Sequence, residues 1–321
     1  MTDPRLAIRL PASPARLWVG AMNFGKRTPE AEARKIVARA LDRGVSAFDT
    51  ANAYNAGESE RILGRALTAH RGECLVATKV GFGRTAGKPE GLSKERVLGA
   101  IDESLERLGM EYVDVYYLHV PDYATPIEET LEAMARVLES KKARAWGVSN
   151  YASWQVLEML AIAERSGMPP PAIAQQMYNV LVRQLEIEWF KFTKRHPMHT
   201  TVYNPLAGGL LSGKHTFGAP AKGSRFDENA LYQRRYWSEP MFAATEKLAR
   251  IAKKADMALV DLAYAWLARR PGVDSILVGP GTVEHLDAAI SAHERVLDEE
   301  TLAAIDAVHR DLTGTDATYA R

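Results

Sequence analysis

Four side chains of complementary chemistry stand in the first 120 or so positions of the chain: Asp49, Tyr54, Lys79 and His119. A free phenol has a pKa of about 10 and gives up its proton poorly at neutral pH. An ammonium nearby favours the phenolate and lowers that value, while a carboxylate holds the ammonium charged and in place. Tyr54, Lys79 and Asp49 supply those three parts, and His119 adds a ring able to orient or polarise a carbonyl oxygen. The set reads as a proton-donor site for reducing a C=O group, and it needs a source of hydride. Each residue also has a plain structural role open to it. Asp49 could be a turn or cap residue, Tyr54 a half-exposed loop aromatic and His119 a satisfied core histidine. Lys79 resists that treatment, because it ends the apolar run LVATKV, where an unpartnered ammonium is costly to bury.

The elements that must position these groups follow from hydrophobic patterning. Strand-like apolar runs occur at residues 17–22, 45–49, 74–80, 113–119, 143–148, 172–178, 200–203 and 273–278, with helical periodicity between them. Asp49, Lys79 and His119 stand at the ends of three consecutive runs, and Tyr54 lies in the loop after one of them. The helix before the fourth run carries Ser93 as its cap, Val97, Ile101, Leu105 and Leu108 as its buried stripe, and Gly109 as its stop. Thr28-Pro29 opens the first helix, with the proline in its first turn. About eight β-then-α units predict an α/β fold of the (β/α)8 TIM barrel type, with an open doubly wound sheet as the alternative. In a barrel the C-terminal strand ends converge on one mouth, which unites the four polar residues. No composition break marks a second domain, so residues 1–321 read as a single barrel domain. The longest irregular stretch, 207–238, follows the seventh strand and is rich in glycine, and a loop of that length is expected to be functional.

Composition narrows the function classes. Hydrophobic residues make up 46% and charged residues 25%, and the formal net charge is +1. Basic pairs such as Lys141-Lys142 and Arg269-Arg270 are scattered, which argues against a nucleic-acid or membrane-surface partner. Cys74 is the only cysteine, so no internal disulfide calls for an oxidising compartment. The start of the chain lacks a signal-peptide core and no window is long enough to span a bilayer, so a cytoplasmic enzyme is expected. Gly81-Phe82-Gly83 resembles the opening of a dinucleotide fingerprint but lacks the helix that should follow. His196 and His199 have near-ligand spacing without a third ligand and read as loop residues, so no metal is expected. A barrel glycosidase would need a carboxylate pair, which Asp49 alone does not suggest.

The segments FDTANAY, ATKV, DVYYLHVPD, WGVSN, QQMYN and YNPLAGGLLSGK resemble, in order and over most of the chain, the successive signatures of the aldo-keto reductase superfamily. TPIEET, SNYASW, MYN followed by RQLE, and RRYW are similar to its aflatoxin-aldehyde and succinic-semialdehyde reductase branch. The resemblance implies NADPH-dependent reduction of aldehydes on a barrel with a long loop after the seventh strand and a C-terminal tail over the mouth. Tyr54 would be the general acid, tuned by Lys79 and Asp49, with His119 orienting the substrate. Ser149, Asn150 and Gln175 would bind the nicotinamide carboxamide, with Met22 and Asp49 alongside, and Tyr203 would stack on the ring. The segment from Asn204 through Pro205, Leu206, Gly208, Leu210 and Gly213 to Lys214 would wrap the pyrophosphate. Arg225 and the segment containing Gly281 and His285 would hold the adenosine end.

That last segment departs from the branch pattern. The branch carries an asparagine where this chain has Ala289, and no Lys or Arg lies between Val278 and Ala289, so Arg225 and Lys222 would have to recognise a 2′-phosphate. Tyr232 and Arg235 match substrate-contacting positions of the semialdehyde branch, whose members also end on arginine as this chain does at Arg321. Paired guanidiniums suit a substrate carboxylate, the alternative for them being that Arg235 lies on a solvated loop and Arg321 on a frayed terminus. The alternative is a nucleotide-binding regulatory subunit with little turnover, like the β-subunits of potassium channels that share this barrel, although no partner-binding extension is expected ahead of it. The family also suggests a homodimer acting on small carbonyl compounds.

Overall fold

The computed structural model of the protein describes residues 16–85, 87–315 and 317–319. Its strands are β1 (Leu17–Gly20), β2 (Ala47–Asp49), β3 (Leu75–Val80), β4 (Arg84–Thr85), β5 (Lys88–Pro89), β6 (Val113–Leu118), β7 (Ala143–Ser149), β8 (Ile173–Met177), β9 (His199–Tyr203) and β10 (Ser275–Val278). Eight of them close into a barrel in the order β1-β10-β9-β8-β7-β6-β3-β2, while β4 and β5 form a separate antiparallel hairpin. The helices are α1 (Glu30–Asp42), α2 (Glu58–Leu67), α3 (Lys94–Leu108), α4 (Ile127–Glu139), α5 (Ser153–Ser166), α6 (Trp189–Arg195), α7 (Ala230–Tyr236), α8 (Glu239–Lys254), α9 (Leu259–Ala268), α10 (Val283–Glu294) and α11 (Glu299–Thr313). The expected (β/α)8 barrel is the architecture observed.

Strands β3 and β6 are buried along their whole length, as both faces of a parallel barrel strand must be. Side chains alternate between the two faces, so the interior can be followed in steps of two. Trp18, Ala47, Leu75, Ala77, Val115, Tyr117, Ala145 and Ile173 form one packed cluster. Two residues further along stand Asp49, Lys79 and Gln175 on the same strands, and His119 just past the end of β6. Ser149 follows Ala145 by four, after Gly147. The polar residues are thus the last interior-facing positions above an apolar plug.

Ser93 caps α3 by accepting the Arg96 amide at 3.3 Å, and Gly109 ends the helix at φ 62°, as the sequence predicts. Pro29 falls one position outside its expected place. It is the N-cap of α1, and its carbonyl accepts the amides of Glu32 and Ala33 at 3.0 and 2.9 Å. The stretch 207–238 is more ordered than its glycines suggest. It holds a 3₁₀ turn at Ala207–Ser212 and all of α7. His199 opens β9 and is not a loop residue.

Two compact units are separable by their contacts. The first runs from residue 16 to Gln176 with 196–201 and 277–286, and in it α1, α2, α3 and α4 pack consecutively. The second holds 177–195, 202–276 and 287 onward, and there α8 packs on both α9 and α11.

Gly147 marks a tight point between neighbouring strands. A Cβ there would lie 2.3 Å from the Ile173 carbonyl oxygen and 2.9 Å from the Tyr117 ring, so only glycine lets β7 approach β8 this closely. We expect Gly147→Ala to lose about 1–3 kcal/mol of stability, the range of overpacked cores, measurable in urea titrations. An unchanged midpoint would mean that β7 and β8 can part without cost.

Candidate active site

The sequence folds the phenol-bearing loop into an unusual turn. Across Tyr54–Gly57 the helical backbone is broken by a kink at Asn55 and Ala56, which sit at φ 52° and 53°, a region that non-glycine residues seldom occupy. The turn is held from outside: Asn55 Nδ2 donates to the carbonyls of Met22 and Phe24 at 3.0 and 2.7 Å. Strained backbone persists where its surroundings over-determine it, and here that fixes the direction of Tyr54.

Lys79 is fully buried. Its Nζ donates to Asp49 Oδ1 and, at 2.8 Å, to the carbonyl of Thr50. Gln175 Nε2 donates to the other Asp49 oxygen at 2.9 Å. The ammonium lies 5.1 Å from the Tyr54 ring centroid. Burial pushes the Lys79 pKa down and the Asp49 pKa up, and each partner opposes the shift of the other. A second buried carboxylate supports the charge from behind. Glu60 accepts Thr78 Oγ1 and Arg107 Nε, each at 2.5 Å, and its charge works against deprotonation of Lys79.

His119 follows β6, with its amide donating to the Val80 carbonyl at 2.8 Å. Its ring meets Tyr54 edge-on, with centroids 5.7 Å apart and planes at 82°. Burial, aided by the Lys79 charge, drives its pKa well below the usual histidine value, and Nδ1 is buried without a hydrogen-bond partner. A neutral imidazole with an unspent polar atom is suited to meeting a ligand.

Ser149 and Gln175 are paired across β7 and β8. Asn150, at φ 65°, donates through Nδ2 to the His119 carbonyl at 2.9 Å and to Ser149 Oγ at 3.0 Å. Ser149 thereby accepts and keeps its own proton to donate. Together these three side chains offer the donors and acceptors that a carboxamide requires, so they fit a nicotinamide.

In the second unit, Tyr203, Asn204, Arg225, Tyr232 and Arg235 form a cluster of their own. Tyr232 OH donates to Asn204 Oδ1 at 3.4 Å, and the guanidiniums of Arg225 and Arg235 lie 5.5 and 6.0 Å from the Tyr232 ring centroid. Burial raises the Tyr203 pKa, against which the charge and hydrogen bond of Arg235 act. A Cβ on Gly208 would stand 2.6 Å from the Tyr232 ring, so α7 and the 3₁₀ turn mesh through that glycine. Pro205 and Leu206 lead into the turn, Leu210 is buried within it, Gly213 ends it at φ 71°, and Lys214 is exposed beyond it. Gly281 accepts Thr28 Oγ1 at 3.4 Å through its carbonyl, and His285 lies in the first turn of α10. At that helix start Glu32 accepts the Val283 amide at 3.2 Å, which places a carboxylate where a phosphate ligand would want a cation. Arg321 lies outside the described residues, and with it the end of the expected tail. The last described stretch is exposed, with Tyr319 bonded to Glu188.

Glu60, Glu90 and Phe82 are the residues of this neighbourhood that sequence patterning passed over. The described residues contain no group of His, Cys, Asp and Glu able to hold a metal, and none of their helices is long and apolar enough to cross a membrane.

A closed parallel barrel thus carries a buried lysine–aspartate pair, a phenol and an imidazole at its strand ends. The model of the Aldo/keto reductase family matches residues 16–310. Aflatoxin B1 aldehyde reductase member 2 of Mus musculus is 33% identical over 91% of this chain and 83% of its own, and its Homo sapiens counterpart 34% over 90% and 85%. A probable voltage-gated potassium channel subunit beta of Arabidopsis thaliana is 34% identical over 82% of this chain and 81% of its own. The chain belongs to the aldo/keto reductase family, whose members use nicotinamide cofactors.

The position of His119 makes a pH prediction. Its folded-state pKa is depressed, so the ring stays neutral as pH falls through the ordinary histidine range of about 6.5. In ring ¹⁵N spectra, with His119→Gln used for assignment, its signals should not move between about pH 6 and 8. A midpoint near the ordinary value would mean that the ring is solvated and charged in mild acid.

Proposed function

We propose that this protein is an NADPH-dependent aldehyde reductase in which Tyr54 donates the proton. The observation that carries the reading is the fully buried Lys79, gripped by Asp49 and the Thr50 carbonyl with its ammonium 5.1 Å from the Tyr54 ring. Bound NADPH would supply a hydride to the carbonyl carbon. The Lys79 charge stabilises the phenolate that Tyr54 becomes, in a setting where water screens it little. His119, neutral, hydrogen-bonds the carbonyl oxygen and aligns it with the phenol. Ser149, Asn150 and Gln175 hold the carboxamide, and Gln175 does so while bonded to Asp49. By resemblance, Tyr203 stacks on the nicotinamide, the segment Asn204–Lys214 holds the pyrophosphate, and Gly281 and His285 flank the adenosine. Arg225 and Lys222 then carry the preference for the 2′-phosphate, because the start of α10 presents Glu32.

Replacing Tyr54 by Phe removes the proton and little else. We expect kcat for aldehyde reduction to fall by at least about a hundredfold, the lower scale of a lost general acid, with NADPH affinity near wild type by fluorescence titration. Retention of most of the wild-type kcat removes Tyr54 from the role. A second reading has one observation in its favour, the similarity to the Arabidopsis channel subunit. Wild type that binds NADPH tightly yet turns over no aldehyde would select it.

Within the reductase reading, Arg235 is the substrate-facing cation. It should favour an aldehyde bearing a distal carboxylate, such as succinic semialdehyde. Arg235→Ala should raise the KM for that substrate by about tenfold, the scale of a lost charged hydrogen bond, and the KM for butyraldehyde much less. Equal rises for both aldehydes would show damage to α7 instead of a lost contact.

A further inference from the structure

One carboxylate beside the site is bound more completely than any fold role of its loop requires. Glu90 follows β5, and its side chain is 3% exposed. Its Oε2 accepts the backbone amides of Gly81 and Gly83 at 2.8 and 3.0 Å. Its Oε1 accepts Asn52 Nδ2 at 2.6 Å and Arg96 Nε at 2.9 Å. Asn52 stands two residues before Tyr54, and its own amide donates to the Lys79 carbonyl at 3.2 Å. Arg96 is anchored in turn by Glu103, with both contacts at 2.8 Å. Glu90 therefore ties the loop that carries the phenol to the loop 81–83, and both of them to α3.

What this grip presents is Phe82, whose neighbours on both sides donate their amides to Glu90. Its side chain is 50% exposed. The ring nonetheless rests against His119, with centroids 5.0 Å apart and planes at 40°. The imidazole is thus flanked by Tyr54 on one side and Phe82 on another. A carbonyl oxygen held by Tyr54 and His119 brings its substituent close to the exposed part of that ring.

We propose that Phe82 is a specificity-determining residue of the carbonyl site and that Glu90 is the positioning residue that holds it there. The exposed ring favours aldehydes whose carbonyl bears a planar, unsaturated group over saturated ones of equal size. Ring–ring contact adds to the gain from buried area, whereas a saturated ring collects the area alone. The charge on Glu90 matters because hydrogen bonds to a carboxylate are about twice as strong as those to a neutral amide. This inference rests on the aldehyde reductase reading above.

The test compares kcat/KM for benzaldehyde and cyclohexanecarboxaldehyde, two aldehydes of equal carbon count, in variants with NADPH. Phe82→Leu keeps apolar bulk without the ring, and it should lower the benzaldehyde-to-cyclohexanecarboxaldehyde ratio by about three- to tenfold, mainly through the benzaldehyde KM. Glu90→Gln should lower the ratio in the same direction. The double variant should fall no further than Phe82→Leu alone, because Glu90 acts through Phe82. Should Glu90→Gln fail to fold, Arg96→Met takes its place by removing the cation that holds the carboxylate. A ratio that ignores Phe82→Leu overturns the proposal. A Glu90→Gln effect that is equal for both aldehydes, or additive with Phe82→Leu, reduces Glu90 to scaffolding. Wild type that reduces no aldehyde at all defeats the functional reading itself. Wild type that reduces aldehydes with a ratio blind to Phe82 defeats only this inference.

Discussion

Taking Lys79 and Asp49 out of water together is the constraint from which the rest of the site follows. Removing an ammonium and a carboxylate from solvent costs several kcal/mol for each ion, and their attraction offsets this only if the remaining hydrogen-bonding capacity is met. The barrel meets it with the Thr50 carbonyl on Lys79 and the Gln175 amide on Asp49. Burial still pulls both groups toward neutrality, and each partner resists that pull on the other. The buried Glu60, itself paired with Arg107, adds to that resistance without touching the ammonium. A charge held this way next to a phenol acts through a medium of low polarity, where it is worth far more than in water.

The barrel supplies that medium by simple alternation. Each strand turns every second residue inward, and the lower positions carry Ala, Val, Leu, Ile, Tyr and Trp as one apolar plug. The charged side chains collect in the final row, where they reach one another. The loops then finish what the strands begin. The left-handed turn after β2 brings the phenol back over the pair, and Asn55 holds that turn to the loop after β1. Asn150 performs the matching task after β7 by tying Ser149 to the backbone of His119.

How much of this was legible in the sequence depended on the range of the forces involved. The strand runs and their polar ends could be read because alternation and burial are local properties, and LVATKV shows both. Ser93 and Gly109 were legible for the same reason, since a cap acts within one turn. Pro29 was misplaced by one residue because a proline suits the cap as well as the first turn, and only the extended ψ of 154° separates them. The helix within 207–238 was hidden, because LYQRRYW lacks an aliphatic stripe and is held instead by Tyr232 and Tyr236 against Asn204 and Gly208. Gln175 was reachable only through resemblance, for its partner Asp49 is 126 positions away. Glu90 gave no signal at all. A glutamate between Pro89 and Gly91 looks like any solvated loop acid until four donors from three segments close around it.

The contrast between Lys79 and His119 shows how one buried environment acts differently on two bases. Burial opposes the charged form of both bases. Lys79 has a carboxylate bonded to it and a second one behind, so its ammonium has partners in the fold. His119 has no carboxylate among the groups acting on its ring, and the Lys79 charge repels a second proton there. The same desolvation that Asp49 counters at the lysine therefore goes unopposed at the histidine. One burial thus meets opposition from carboxylates at the lysine and none at the imidazole.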